Sequence, residues 1–163
     1  MKIVIRYISK EDLPVCLTII HQGFATVAEE FGLTKENCPG HTAFIKPEKL
    51  REKFDAGDRM YLCDAENGSV GFFSLKQTGP SVWELDHLSV LPEYRRRGIG
   101  EAMLRFACQT VKENGGEVIR IGIIEENTRL KRWYERFGFV STGTKRFAHL
   151  PFTVGFMELR LSC

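Results

Sequence analysis

Residues 90–100 read VLPEYRRRGIG: an apolar stretch ends, the chain turns at Pro92, and three arginines lead into Gly98-Ile99-Gly100. Three cations and two missing side chains at one turn suit a phosphate. Glycine lets backbone N–H groups approach a ligand closely, and a helix start adds unpaired donors and a positive dipole end. A Gly-x-Gly pair discriminates weakly by itself, so the surrounding chain has to decide.

Working outward, SVWELDHLSV (81–90) reads as a strand leading into the turn, and residues 98–114 read as a helix leading out of it. In that helix Ile99, Met103, Phe106, Ala107 and Val111 form one stripe, with Glu101, Arg105, Gln109 and Lys112 opposite. Gly115-Gly116 stops it. Upstream, residues 2–8 read as a strand and residues 11–31 as a helix that tolerates Pro14 in its first turn. Residues 32–44 are loop by their Gly, Asn and Pro content, and KPEKLREKF (46–54) is a short charged helix. Residues 59–75 make a hairpin across Asn67-Gly68. Downstream, EVIRIGII (117–124) is a buried-type strand, residues 127–137 a helix, and residues 139–149 and 152–161 two final strands. The segments add up to a mixed α/β single domain over residues 1–163.

Composition bounds the function. A chain of 163 residues, 43% hydrophobic and 27% charged, has the make-up of an ordinary globular protein. A net charge of +2 is too small to imply a nucleic-acid or membrane partner, so the arginines at 95–97 are a local feature. The first residues are too short and too charged an apolar run for a signal peptide. Five cysteines (16, 38, 63, 108 and 163), odd in number and without CxxC spacing, argue against a disulfide framework and against a zinc site. The expectation is a cytoplasmic protein without a metal.

The turn is neither a Walker loop, which needs Gly-Lys-Ser/Thr, nor a dinucleotide fingerprint, which needs a third glycine. After a strand ending in Val-x-Pro, it resembles the acyl-CoA pyrophosphate loop of the GNAT N-acetyltransferase superfamily, Arg/Gln-x-x-Gly-x-Gly/Ala. A second constellation joins it. ENTRLKRWYERFGF (126–139) carries Asn127, Tyr134 and Gly138-Phe139 at the spacing of a second GNAT motif, Asn-x6-Tyr-Glu-x2-Gly-Phe. Seven residues apart, Asn127 and Tyr134 lie along one helix face. Asn127 also suits a helix N-cap, and Tyr134 also suits the apolar stripe of Leu130, Trp133 and Phe137. The order of elements is similar to the superfamily over nearly the whole chain, residues 1–80 by architecture alone.

The resemblance implies a GNAT fold: a mixed, mostly antiparallel sheet of about seven strands flanked by about four helices. It implies acetyl-CoA as co-substrate and an amine acceptor, with direct transfer to a primary amine. A small-molecule amine is the first expectation, a protein N-terminus or lysine the second, and a catalytically silent acyl-CoA-binding module the third. A monomer or homodimer suits any of them. By the same resemblance, the loop Arg95, Arg96, Arg97, Gly98, Ile99, Gly100 and Glu101 wraps the pyrophosphate, with Arg96 or Arg97 adding charge-assisted contacts. Leu88, Ser89 and Val90 carry the pantetheine arm through backbone groups, and Asn127 holds it from the other side. Tyr134 is the general acid for the departing thiolate.

For the base, strand alternation puts Glu84, Asp86, Leu88 and Val90 on one face, and Trp83, Leu85, His87 and Ser89 on the other. Glu84, eleven residues before Arg95, matches the base position of the histone-acetylating GNAT branch. Asp86 is its same-face neighbour, close enough for repulsion to raise one carboxyl pKa. His87 points away and reads as a packing residue. The acceptor is expected near residues 29–44 and 145–154, where Glu29, Glu30 and Glu36 would draw a cation and Lys145 and Arg146 an anion.

Overall fold

The structure, a computed structural model, describes residues 1–161; residues 162–163, including Cys163 and the end of the expected domain, lie outside the described residues. The apolar runs become seven strands: β1 (Val4–Tyr7), β2 (Arg59–Ala65), β3 (Gly68–Gln77), β4 (Val82–Val90), β5 (Val118–Ile124), β6 (Val140–Arg146) and β7 (Thr153–Arg160). Four α-helices accompany them: α1 (Leu13–Glu30), α2 (Pro47–Asp55), α3 (Ile99–Glu113) and α4 (Thr128–Phe137). The strands form one sheet in the order β1-β2-β3-β4-β5-β7-β6. This is the expected mixed, mostly antiparallel α/β architecture.

Each helix buries the stripe its sequence offers. On α1, Cys16, Ile19, Ile20 and Gly23 are buried at helical spacing, and Pro14 sits in the first turn, where an N–H is not required. With α2 this helix covers one face of the sheet, packing Leu50, Met60, Leu62 and Phe72 into one cluster. On the opposite face Met103, Leu104, Ala107 and Val111 of α3 meet Phe73, Leu75, Trp83, Leu85, Ile119 and Ile121. Each such large aliphatic side chain contributes about 1.5–3 kcal/mol on leaving water.

Two irregularities position the site. The first is a splay. β4 and β5 run parallel and pair only at Val82–Val118, Trp83–Ile119 and Glu84–Arg120. Beyond these pairs Leu85–Val90 and residues 121–124 separate, while β5 stays paired with β7 along its whole length.

The second is a bulge in β4. Ser74 faces Asp86 and Phe72 faces Ser89, so one residue of β3, Phe73, stands between these pairs against two of β4, His87 and Leu88. His87 absorbs the extra residue with φ of 58°. A bulge of one residue exchanges the two faces downstream of it. This corrects the simple alternation. Glu84 and Asp86 do share a face, but Ser89 joins them there, and Leu88 and Val90 pack instead with Trp83 and Leu85. Ser89 lies directly under α1: a Cβ built on Gly23 would come 2.8 Å from the Ser89 Cβ.

Candidate active site

α3 starts with Gly98 in the left-handed region, φ 79°, as its N-cap. A side chain there would be strained by the backbone, although nothing lies within 4 Å of the added Cβ. The first helical bond runs from the Ala102 N–H to the Gly98 carbonyl, 3.0 Å. The N–H groups of Ile99, Gly100 and Glu101 therefore precede the helix's own ladder and are available to an anion. A cavity of about 610 Å3 opens at this helix start, lined by Arg96, Gly98, Ile99, Gly100, Glu101, Leu88, Ser89, Val90 and Asn127 among others.

The three arginines part ways. Arg96, itself left-handed at φ 62°, lines the cavity. Arg95 borders it too, but its guanidinium turns back to α1, donating to the Gly23 carbonyl at 2.6 Å and to Thr26 Oγ1 at 2.9 Å. Arg97 lies outside the cavity lining, stacked over the Tyr94 ring at 5.1 Å. Two cations that the motif does not mark stand in its place: Arg129 and Arg136 of α4. Arg129 also meets Glu30 of α1 at 3.5 Å. Their positions along α4 carried no phosphate signature, because each reads as an ordinary exposed helix residue.

A second cavity of about 510 Å3 occupies the splay between β4 and β5. Phe24, Val27, Leu88, Asn127 and Leu130 line both cavities, so the two adjoin. Asn127 takes the N-cap position of α4. Its Oδ1 caps α4 by accepting the Leu130 N–H at 3.2 Å, and the residue faces both cavities.

Asp86 and Tyr134 line the second cavity together. Burial pushes the Asp86 carboxyl up to about 6, helped by repulsion from Glu84. Burial also drives the Tyr134 phenol above its ordinary range, and the Asp86 charge adds to that. Tyr134 therefore stays protonated, a hydrogen-bond donor at any working pH. Glu84 lies outside the lining of both cavities, between its cross-strand partners Lys76 and Arg120. His87, expected as a packing residue, instead joins the second cavity's lining through the bulge. Its Nε2 is buried without a hydrogen-bond partner among the described residues. Burial lowers its pKa to about 4, which leaves the ring neutral.

The far wall comes from the two segments read as flanking the acceptor, residues 38–42 and 149–154. The charges singled out within them do not reach it. Glu29, Glu36, Lys145 and Arg146 are exposed outside both linings, and Glu30 faces the loop-side cavity.

Residues 26–139 match the acetyltransferase (GNAT) family. The chain is 26% identical over 161 residues to an uncharacterized N-acetyltransferase of the pepI 3′ region in Lactobacillus delbrueckii subsp. lactis, covering 91% of this chain and 87% of that protein. It is 29% identical over 82 residues to a mycothiol acetyltransferase of Corynebacterium glutamicum (strain R), where the match covers 50% of this chain and only 28% of the other. Among solved structures, the ribosomal-protein-S18-alanine N-acetyltransferase from Escherichia coli superposes with a TM-score of 0.79 at 16% identity, covering 99% of this chain and 96% of that one. A GNAT family acetyltransferase from Elizabethkingia anophelis with acetyl-CoA bound gives 0.73 at 15% identity, covering 98% of each. At such identities the superpositions speak for the fold, and the family match over more than half the chain speaks for kinship. This protein belongs to the GNAT family of acetyltransferases.

Proposed function

We propose that this chain transfers an acetyl group from acetyl-CoA to a primary amine by direct attack, with a small molecule as the acceptor. One observation carries the reading. A cation-lined cavity at a helix start adjoins a cavity holding Asp86 and Tyr134, and the two meet at Leu88 and Asn127 inside a strand splay.

The residues fit the cofactor by their chemistry. Free N–H groups at residues 99–101, with Arg96, Arg129 and Arg136, offer the donors and charge that a pyrophosphate needs. The edge of β4 left unpaired beyond Glu84 offers backbone groups at Leu88 and Val90 to an extended amide-bearing arm. Arg95 serves as a positioning residue, tying the loop to α1. Acetyl-CoA supplies the activated thioester.

Asp86 is the better candidate base. It faces the cavity and gains a proton near the middle of the useful range, while Glu84 acts on it as a neighbouring charge. Asp86 takes the proton from the ammonium, directly or through water, and the freed amine nitrogen forms the new N–C bond. Tyr134 donates to the sulfur as the C–S bond breaks. Because its pKa lies above that of an ordinary thiol, hydrogen-bond donation is favoured over full transfer. A cytoplasmic setting fits the four described cysteines, all unpaired.

Two measurements test the reading. Millimolar acetyl-CoA should raise the melting temperature, since a ligand bound only to the folded state adds several kcal/mol at about 1,000 Kd. Release of CoA thiol should then depend on an added amine. A flat thermal shift rejects the assignment. Binding without amine-dependent thiol release would instead favour the silent acyl-CoA-binding module.

A further inference from the structure

The second cavity's charge pattern says more than that an amine enters it. Among the described residues, no lysine, arginine or glutamate lines it, and Asp86 is its one carboxylate. Around that carboxylate the wall is apolar. Phe24 and Val27 of α1, Leu150 and Phe152 of the turn before β7, and Ile124 of β5 belong to one hydrophobic cluster, together with Cys38. The four half-buried members, Phe24, Val27, Leu150 and Phe152, are the ones that leave surface to an occupant. The remaining polar side chains are few: Thr42, Asn127, Tyr134 and three histidines. His41 is fixed by accepting the Ala43 N–H on Nδ1 at 3.1 Å. The histidines do not form a metal cluster among the described residues.

We infer that the acceptor is a monoamine carried on a compact apolar body, aromatic or branched aliphatic, with its ammonium at Asp86 and no second charge. This rests on reading the second cavity as the acceptor side of the proposed acetyl transfer. Its logic is charge complementarity. One half-buried carboxylate matches one cation. A second cation would be stranded against Leu150, Phe152 and Val154 without a counter-charge. An acidic group on the acceptor would find no arginine or lysine in the lining, and Asp86 would repel it. A polyol or a peptide backbone would bring several donors and acceptors to a wall that offers few. The volume, about 510 Å3, is in the range of small-ligand sites.

The test is kcat/KM for thiol release with the intact chain and acetyl-CoA, run alongside calorimetric acetyl-CoA binding. The acceptors are 2-phenylethylamine, isoamylamine, spermidine, glutamate, glucosamine and an alanine-initiated hexapeptide. The two apolar monoamines should exceed the other four by about 100-fold, the scale set by burying an apolar body and sparing a stranded polar group. A second arm uses Leu150→Glu, which places a counter-charge on the apolar wall. It should raise the ratio of kcat/KM for 1,5-diaminopentane over 2-phenylethylamine by about tenfold, a ratio that does not depend on how much protein is folded. Spermidine, glutamate, glucosamine or the peptide as the best substrate, or an unchanged ratio in Leu150→Glu, overturns the inference and leaves the acetyltransferase reading standing. Acetyl-CoA binding with turnover of none of the six overturns it too. Loss of both acetyl-CoA binding and turnover removes the two readings together.

Discussion

The Arg95 guanidinium donates to the Gly23 carbonyl at 2.6 Å, across 72 positions of sequence, and so ties the loop before α3 to the middle of α1. The same guanidinium reaches Thr26 Oγ1 at 2.9 Å. Arg95→Ala should therefore loosen the loop as well as remove a cation. The expected cost is about 1–2 kcal/mol in thermal unfolding, with acetyl-CoA affinity lowered several-fold. Arg95→Lys should recover little, because one ammonium cannot reproduce two directed donors. Arg97→Ala, which removes only a stack over Tyr94, should change affinity less. Calorimetric titration of the three variants checks the order, and equal losses at Arg95 and Arg97 would return both to plain phosphate contacts.

Gly98→Asp should abolish acetyl-CoA binding in a folded protein. The added side chain has open space, but φ of 79° strains any residue with a Cβ, and the carboxylate would stand where the proposed phosphate sits. Far-UV circular dichroism should stay near wild type while the titration shows no heat. Unchanged affinity in the folded variant would move the phosphate elsewhere.

The two carboxylates of β4 should separate by their pH profiles. With Asp86 as base, kcat/KM should rise with pH through an acidic limb near 6, because only the ionised carboxylate accepts a proton. Burial raises the carboxyl most, Glu84 and Asp58 raise it further, and Lys53 and Lys76 lower it. Asp86→Asn should lower the neutral-pH rate by about 10²-fold or more and erase the limb. Glu84→Gln should keep most of the rate and move the limb to lower pH, since it removes a repelling charge. A deficit concentrated in Glu84→Gln would exchange the roles.

The half-buried Asp86 also predicts a stability effect with a definite sign. Its carboxyl is raised to about 6 in the folded chain against about 3.9 unfolded, so the folded state holds the proton longer. Stability from this group is full below about 4 and is lost as pH rises to about 6, by about 2–3 kcal/mol. Asp86→Asn removes that penalty. Its melting temperature should exceed wild type at pH 8 and match it at pH 3.5. A gain of equal size at both pH values would mean that ionisation is not the cause.

Tyr134→Phe should leave acetyl-CoA affinity nearly intact and lower kcat by about 10–1,000-fold. The ring keeps its edge contacts with Trp133 and Phe139, so folding should be unaffected. Wild-type turnover in the variant would make Tyr134 a core aromatic and nothing more.

The sequence by itself determined the elements and the positions of the candidate site residues whose signals are local. Apolar periodicity marked four helices and seven strands, glycine and arginine marked the turn that opens α3, and seven-residue spacing put Asn127 at the N-cap of α4 and Tyr134 two turns further along it. Such features depend on neighbouring φ/ψ preferences and on helical repeat, which a short window contains. Tertiary structure alone decided the rest. His87 is not a glycine, so nothing in SVWELDHLSV announced a left-handed residue, and the bulge exists only as a register between β3 and β4. That one inserted residue moved Ser89 under α1 and exchanged the faces of Leu88 and Val90. Likewise, the motif shows three arginines alike, but Arg95 found a carbonyl on α1 and Arg97 a ring at Tyr94. The wall that argues for an apolar acceptor draws on α1, the 38–42 loop, β5 and the turn before β7. Those segments meet only because β4 and β5 part after three residue pairs, a consequence of long-range packing that no local pattern encodes.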